Sequence, residues 1–181
     1  MKKLLTLGAA TFLLSACIGS GKNTDIKVVD AETFPTITGI DLLGDEKELP
    51  AYFEGDFNIV TVAFQQRQQE NVNTWINALE PMLGENENLR FYELPVIYKM
   101  NPLFRTWINN GMRSGIPDEA ARKRTITVYT DRAKFYDTMD MQEGNIYTLL
   151  LNGEGQILWR TSGDATEEKL ENLSRAIADA Q

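Results

Sequence analysis

The apolar positions along the chain predict strands and helices that follow one another in turn. Residues 57–64 are apolar on both faces, as expected of a central strand in a sheet that is covered on both sides. Residues 66–83 then place apolar side chains, including Val72, Trp75 and Ile76, at the spacing of one helical face. The pattern predicts a buried strand that leads directly into a long helix.

Both ends of the folded part carry hairpin patterns. Residues 37–50, ITGIDLLGDEKELP, predict two short strands that turn at residues 44–45. Residues 146–161 predict a second hairpin around the turn sequence NGEG at residues 152–155. These two hairpins add antiparallel strands to whatever sheet the middle of the chain forms.

Two further strands are predicted between the hairpins. One covers residues 89–94 and is stopped by Pro95, and the other covers residues 124–129. A short helix is predicted to begin at Asp131, directly after the second of these strands.

Two more helices have recognisable start signals. Asn101-Pro102 predicts a helix with proline at its first position, and Trp107 lies on the apolar face that we expect to be in the core. The final helix is predicted to open with Asp164 and Glu167 as a capping box.

The order of these elements predicts an α/β fold. Strands that alternate with helices favour a largely parallel sheet covered on both faces, which is a three-layer sandwich. The expected architecture is a mixed sheet with an N-terminal hairpin and a C-terminal β-hairpin followed by a helix.

The first residues have the pattern of a targeting segment. Lys2 and Lys3 precede a short apolar run, and Leu-Ser-Ala-Cys at residues 14–17 provides a small-residue cleavage site. The apolar run is too short to span a bilayer. The pattern resembles a bacterial lipoprotein signal, with Cys17 as the acylated first residue of the mature chain. The alternative is a plain signal peptide in which Cys17 is incidental.

The lipoprotein interpretation divides the chain into three parts. Residues 1–16 are then the signal peptide, residues 17–34 the lipidated cysteine with a flexible tether, and residues 35–181 the folded domain. By the same resemblance, an aspartate directly after the acylated cysteine would retain such a protein at the inner membrane. This chain has Ile18 at that position. The expected location is the cell envelope, at the outer membrane and facing the periplasm.

Composition excludes several classes of chemistry. The chain has 26 acidic and 18 basic residues, so it lacks the positive charge that nucleic-acid binding requires. Membrane attachment must therefore come from lipid rather than from a basic surface. With no histidine and a single cysteine, Cys17, the mature domain has no residues for disulfide exchange, Cys/His metal sites or serine–histidine catalysis. No cofactor and no metal are predicted.

Three segments carry a resemblance to a known superfamily. TVAFQQRQQENVNTW, ITVYTDRAKFYD and IYTLLLNGEGQILWRTSG resemble the thioredoxin-like superfamily, especially its peroxiredoxin-type branch, over about residues 35–180. The resemblance implies a thioredoxin-like fold. The attacking cysteine of that superfamily would fall near residues 66–69, and its cis-proline or active-site arginine near Ile146, but this chain has none of them. FQQRQQENVNTW and NPLFRTWINNGMRSGIP are also similar to the cysteine-free thioredoxin-like family of a mitochondrial ATP-synthase assembly factor.

The glutamine-rich junction after the first buried strand is the main candidate site. Gln65, Gln66, Arg67 and Gln69 add side-chain donors, acceptors and one charge to a helix start, which itself exposes backbone N–H groups. This arrangement favours a binding surface for an extended peptide or an anionic group. The alternative is a solvated first helical turn, since glutamine and arginine are good helix formers.

Two further regions complete the candidate surface. Asn145 and Ile146 lie at the start of the closing hairpin and would face the glutamine-rich junction in a thioredoxin-like groove. Arg113 and Arg124 belong to the only basic concentration in an acidic chain and would suit an acidic partner, or simply be solvated.

These observations favour a non-catalytic envelope lipoprotein that binds a protein or peptide partner, as an assembly or chaperone module. The alternative is an envelope enzyme of unknown class that uses carboxylates or Arg67 in the same groove.

Overall fold

Seven strands form one mixed sheet in the computed structural model, which describes residues 33–181. The signal segment and Cys17 lie outside the described residues. The strands run in the order β2-β1-β5-β4-β3-β6-β7 across the sheet. They are β1 (Ile37–Asp41), β2 (Glu46–Leu49), β3 (Phe57–Ala63), β4 (Leu89–Tyr98), β5 (Ile126–Thr130), β6 (Tyr147–Asn152) and β7 (Ile157–Ser162).

Five helices complete the described part of the chain. They are α1 (Gln69–Glu85), α2 (Pro102–Gly115), α3 (Glu119–Arg124), α4 (Arg132–Met139) and α5 (Glu167–Asp179), and a single 3-10 turn at Gln66–Gln68 precedes α1. No helix among residues 33–181 combines the length and apolar character needed to cross a bilayer.

The centre of the sheet is parallel and its borders are antiparallel. β3 pairs in parallel with β4 along its whole length, and β4 pairs in parallel with β5. The antiparallel hairpins β1–β2 and β6–β7 flank this centre. The predicted α/β architecture, including the buried central strand, is therefore confirmed.

The sheet separates two hydrophobic cores. One contains Phe64 together with Phe135 and Met139 of α4. The other lies under α1 and α5 and is centred on Trp75, which is fully buried beside Leu79. The indole N–H of Trp75 donates to the carbonyl of Gly163 at 2.9 Å, so its polar atom is satisfied inside the core.

The expected end of the second strand at Pro95 was wrong. β4 continues to Tyr98 because it changes its parallel partner at this point. Ala63–Pro95 is the last pair with β3, and pairs with β5 continue from Val96–Val128. A proline without an N–H is tolerated where one side of the ladder ends.

Two predicted element starts were also wrong. Arg124 does not open a strand but is the last residue of α3, a short helix whose start is capped by Asp118. The last helix is capped by Thr166, whose hydroxyl accepts from the N–H of Lys169 at 3.3 Å. Asp164 instead accepts from the side chain of Asn71 at 2.6 Å and so links the segment before α5 to α1.

The expected burial of Trp107 was wrong as well. α2 contains no buried residue, and Leu103, Phe104 and Trp107 are 82%, 60% and 74% exposed. The helix is held by its polar side instead, where Asn109 accepts from the hydroxyl of Tyr129 at 2.7 Å. Helical spacing revealed an apolar face, but its residues Ile108 and Met112 are only half-buried and the large side chains beside them stay exposed.

Candidate functional site

The junction between β3 and α1 is organised around one buried glutamine. Gln68 is 4% exposed, and its side-chain oxygen accepts from the N–H groups of Phe64 at 2.8 Å and Gln65 at 3.0 Å. Its side-chain nitrogen donates to the carbonyl of Glu143 at 2.9 Å. Gln68 therefore works as a structural connector that ties the junction to the loop between α4 and β6.

The other polar residues of the junction remain available on the surface. Gln66, Arg67 and Gln69 are exposed, and Gln65 is half-buried. Arg67 donates from Nε to the side-chain oxygen of Gln65, and Gln69 donates to Asn73 at 3.1 Å. These contacts pre-orient the polar side chains without burying them.

A groove of about 1360 Å³ opens beside this junction, between α1 and the α2–α3 segment, with β4 as its floor. The junction supplies four of the predicted site residues to one end of it. Its other lining comes from both helices and the strands beneath them: Thr61, Val72, Asn73, Ile76, Glu93, Pro95, Ile97, Trp107, Ile108, Met112, Ile116, Asp118 and Arg124 among others.

A buried carboxyl group lies in the floor of the groove. Glu93 is 7% exposed, and burial raises its pKa above the ordinary value of 4.5. A hydrogen bond from Gln69 and the positive charge of Arg124 oppose this shift. Burial dominates because it removes the water that would otherwise solvate the carboxylate. Glu93 is thus the groove residue whose protonation the protein environment changes.

Arg124, the last residue of α3, lies close enough to Glu93 for its positive charge to act on the pKa of that carboxyl group. Its guanidinium carbon lies 5.8 Å from the centre of the Phe91 ring, while its Nε is buried without a hydrogen-bond partner in the part of the chain described. The predicted site residue Arg124 therefore lines the same groove as Gln65, Gln66, Arg67 and Gln69.

The remaining predicted site residues do not line the groove. Arg113 donates from Nε to the carbonyl of Leu42 at 2.6 Å, which fastens α2 to the turn after β1. Ile146 is 2% exposed and belongs to the core under α1 and α5, so it offers no side-chain surface. Asn145 is exposed on the loop that Gln68 holds in place.

Sequence reasoning missed Glu93, and it expected the groove between the glutamine-rich junction and the loop before Ile146 rather than between α1 and α2. The signal for Glu93 was present, because a single acidic residue interrupts the apolar run of β4. No group of three or more His, Cys, Asp and Glu side chains within residues 33–181 is arranged to hold a metal ion.

The fold is that of thiol–disulfide oxidoreductases. The chain is similar to the thioredoxin domain of a thiol-disulfide oxidoreductase from Bacteroides vulgatus, with a TM-score of 0.53 and 18% identity over 81% of this chain and 95% of that one. It is also similar to a DsbF homologue from Corynebacterium diphtheriae, with a TM-score of 0.56 and 14% identity over 95% and 99% of the two chains. A thiol-disulfide oxidoreductase from Bacteroides fragilis matches with a TM-score of 0.53 and 13% identity over 81% and 99%. At these identities the likeness establishes a thioredoxin-like fold and nothing further.

The sequence also identifies the family. The family model described as ATP10 protein matches residues 22–179, so the chain belongs to the ATP10 protein family. The similarity to the cysteine-free family of the ATP-synthase assembly factor is thereby confirmed, together with the thioredoxin-like fold. No curated protein is close enough in sequence to count as a match.

Proposed function

We propose that this protein is a non-catalytic binding module that assists the assembly of a partner protein in the cell envelope. The observation that carries the proposal is the groove between α1 and α2, which combines an apolar helix face with a polar junction. Its volume exceeds the 300–1,000 Å³ or so that is usual for small-molecule pockets, which favours a polypeptide occupant. Membership of the ATP10 protein family agrees with an assembly role.

The missing thiols support binding rather than redox chemistry. Thiol–disulfide exchange proceeds by attack of a thiolate on a disulfide sulfur. Cys17 is the only cysteine of the chain and precedes the described domain. In the position where a reactive cysteine is expected, Gln68 uses its amide to hold two loops together.

A lipid on Cys17 is part of the proposal, and it suits the position of the groove. Thr33 forms an antiparallel bridge with Gln156, close to the end of the sheet where Phe57 pairs with Asn152. The glutamine-rich junction follows the opposite end of β3. An outer-membrane anchor facing the periplasm would therefore join the domain at the end away from the junction, leaving the groove accessible.

Site-specific photo-crosslinking in intact envelopes tests the proposed function. Ile76 of α1 lines the groove, whereas its neighbour Asn77 is exposed and does not. A crosslinking amino acid at position 76 should capture a defined partner protein, and the same residue at position 77 should not. Equal capture from both positions, or none from either, would refute a binding function for the groove.

Glu93 supports an enzyme as the second candidate. A carboxyl group with a raised pKa in a groove is a common feature of acid–base catalysts, and Arg124 lies near it. Glu93→Gln keeps the shape of the side chain but removes the titration. If this variant still captures the partner but no longer makes a chemical change that the parent makes to it, the enzyme hypothesis is favoured. If it captures and releases the partner unchanged, the binding function is favoured.

A further inference from the structure

The apolar face of α2 is directed at a space rather than at a neighbour. Trp107, Ile108 and Met112 line the groove, yet α2 buries none of its residues. An amphipathic helix on a globular protein normally places such a face against the core. Ile108 and Met112 are only half-buried and Trp107 is 74% exposed, so the described part of the chain leaves much of this face uncovered.

Two glycines open the backbone of α2 to the same space. Gly111 and Gly115 lie one helical turn apart, and both line the groove. A Cβ atom added at either glycine would meet no heavy atom within 4 Å. Small residues at this spacing allow the backbone of a second helix to approach closely. Both positions therefore leave open space in which another molecule can approach the backbone of α2.

The floor of the groove disfavours an extended peptide. Peptides that bind as strands add to the free edge of a sheet, where backbone groups are unpaired. β4 lies inside the sheet and is paired with β3 on one side and β5 on the other. A helix satisfies its own backbone hydrogen bonds and needs no such edge.

The charges around the groove complement a basic occupant. Glu93 lies in the floor, and Glu70 and Asp118 line the two sides. Arg124 offsets Glu93, and Arg67 keeps its charge because its partner Gln65 is neutral. The three acidic and two basic side chains of the lining therefore leave a net charge of −1 in the groove. The whole chain carries a formal net charge of −8. Lysine or arginine on a partner would therefore gain from this surface, and a cluster of carboxylates would not.

We infer that the groove between α1 and α2 binds a basic amphipathic helix of a partner protein. The apolar face of that helix packs on Ile76, Ile108 and Trp107 and crosses α2 at Gly111 and Gly115, while its lysine or arginine side chains reach Glu70 and Asp118 on the two sides of the groove. This inference rests on the proposed binding function and proposes a helix in place of the extended peptide that the sequence suggested.

Three synthetic peptides of 14 residues test the occupant against the purified full chain. The first places leucine and lysine at helical spacing, the second has the same composition in strict alternation, and the third replaces every lysine of the first with glutamate. Calorimetric titration should show binding of the first peptide at least 10-fold tighter than either of the others. The fluorescence of exposed Trp107 should shift to shorter wavelength as the first peptide covers it. If the alternating or acidic peptide binds equally well, the proposed occupant is wrong.

Glycine substitutions then locate the binding site. Gly111→Leu fills the groove and should weaken binding of the helical lysine peptide at least 10-fold. Gly84→Leu is the matched control, because Gly84 is also helical and open on its Cβ side but does not line the groove. It should change binding less than 2-fold, and thermal unfolding should show that both variants remain folded. Undiminished binding by folded Gly111→Leu would overturn the inference.

The inference and the proposed function fail separately. If position 76 crosslinks a partner in envelopes but Gly111→Leu does not affect the helical peptide, the helical occupant is wrong and the binding function stands. If position 76 captures nothing beyond the control at position 77, the binding function is wrong, and the inference falls with it.

Discussion

The side-chain amide of Gln68 donates to the carbonyl of Glu143 at 2.9 Å while its oxygen accepts from two backbone N–H groups. One buried glutamine thus joins the junction after β3 to the loop before β6. These are the two segments that frame the reactive site in the thioredoxin-like superfamily, and here they are fixed by hydrogen bonds.

Replacing Gln68 should destabilise the fold. Gln68→Ala leaves the N–H groups of Phe64 and Gln65 and the carbonyl of Glu143 without their partner. A buried unsatisfied polar group costs about 1–3 kcal/mol, so the total loss should be roughly 2–4 kcal/mol after local relaxation. Gln66→Ala, on the exposed side of the same turn, should change stability by about 0.5 kcal/mol or less. Equal unfolding midpoints in urea for the two variants would contradict the structural role of Gln68.

Two tryptophans on helices should respond in opposite ways. Trp75→Ala removes a fully buried ring with a hydrogen-bonded indole and should cost roughly 3–5 kcal/mol of stability. Trp107→Ala should leave the unfolding free energy within about 0.5 kcal/mol, because the ring is 74% exposed.

Partner capture, unlike stability, should be sensitive to the replacement of Trp107. Tryptophan at the centre of an interface typically contributes about 2 kcal/mol or more, so Trp107→Ala should reduce crosslinking from position 76 several-fold. Chemical denaturation measures the first effect and crosslinking yield the second. If the Trp107→Ala protein captures its partner as efficiently as the parent, α2 is not part of the binding surface.

The stability of the protein should depend on pH through Glu93. Burial raises the pKa of Glu93 in the folded state above 4.5, so the folded protein holds a proton that the unfolded chain releases. The stabilising contribution of this group is present below the unfolded pKa and is lost as pH rises through the folded pKa. The stability of Glu93→Gln relative to the parent should therefore be higher at about pH 8 than at about pH 4. Denaturation curves of both proteins at the two pH values check the sign, and a constant difference would contradict it.

Cys17→Ala should abolish lipid attachment if the lipoprotein proposal is right. The variant should leave the membrane fraction or accumulate unprocessed, because the acylated side chain is gone. Ser20→Ala, three residues later, serves as the control and should fractionate like the parent. A Cys17→Ala protein that still carries lipid and remains in the membrane fraction would exclude this mode of attachment.

The same Cys17→Ala variant should have no thiol peroxidase or disulfide reductase activity, because it contains no sulfur nucleophile. Peroxide consumption and disulfide reduction should equal the buffer control at every protein concentration. Turnover that rises in proportion to the protein would show a chemistry that does not need cysteine.

Local patterns were enough to predict most of the fold. The continuous apolar run of β3, the turn sequence at residues 152–155 and the cap at Asn101 are confirmed because strand periodicity, turn chemistry and capping act between neighbours in the chain. The loss of thiol chemistry followed from composition alone. The glutamine-rich junction was also recognisable, since it interrupts the change from strand to helix.

Tertiary structure alone decided which faces are covered and which polar residues meet. Trp75 and Trp107 have the same helical pattern around them, yet one is fully buried and the other is 74% exposed. Glu93 and Arg124 are distant in sequence, and only the pairing of β4 with its neighbours brings them to one groove. Periodicity shows which way a side chain faces relative to its own backbone. Burial, a shifted pKa and an open groove depend on the element packed opposite, which is determined by long-range contacts.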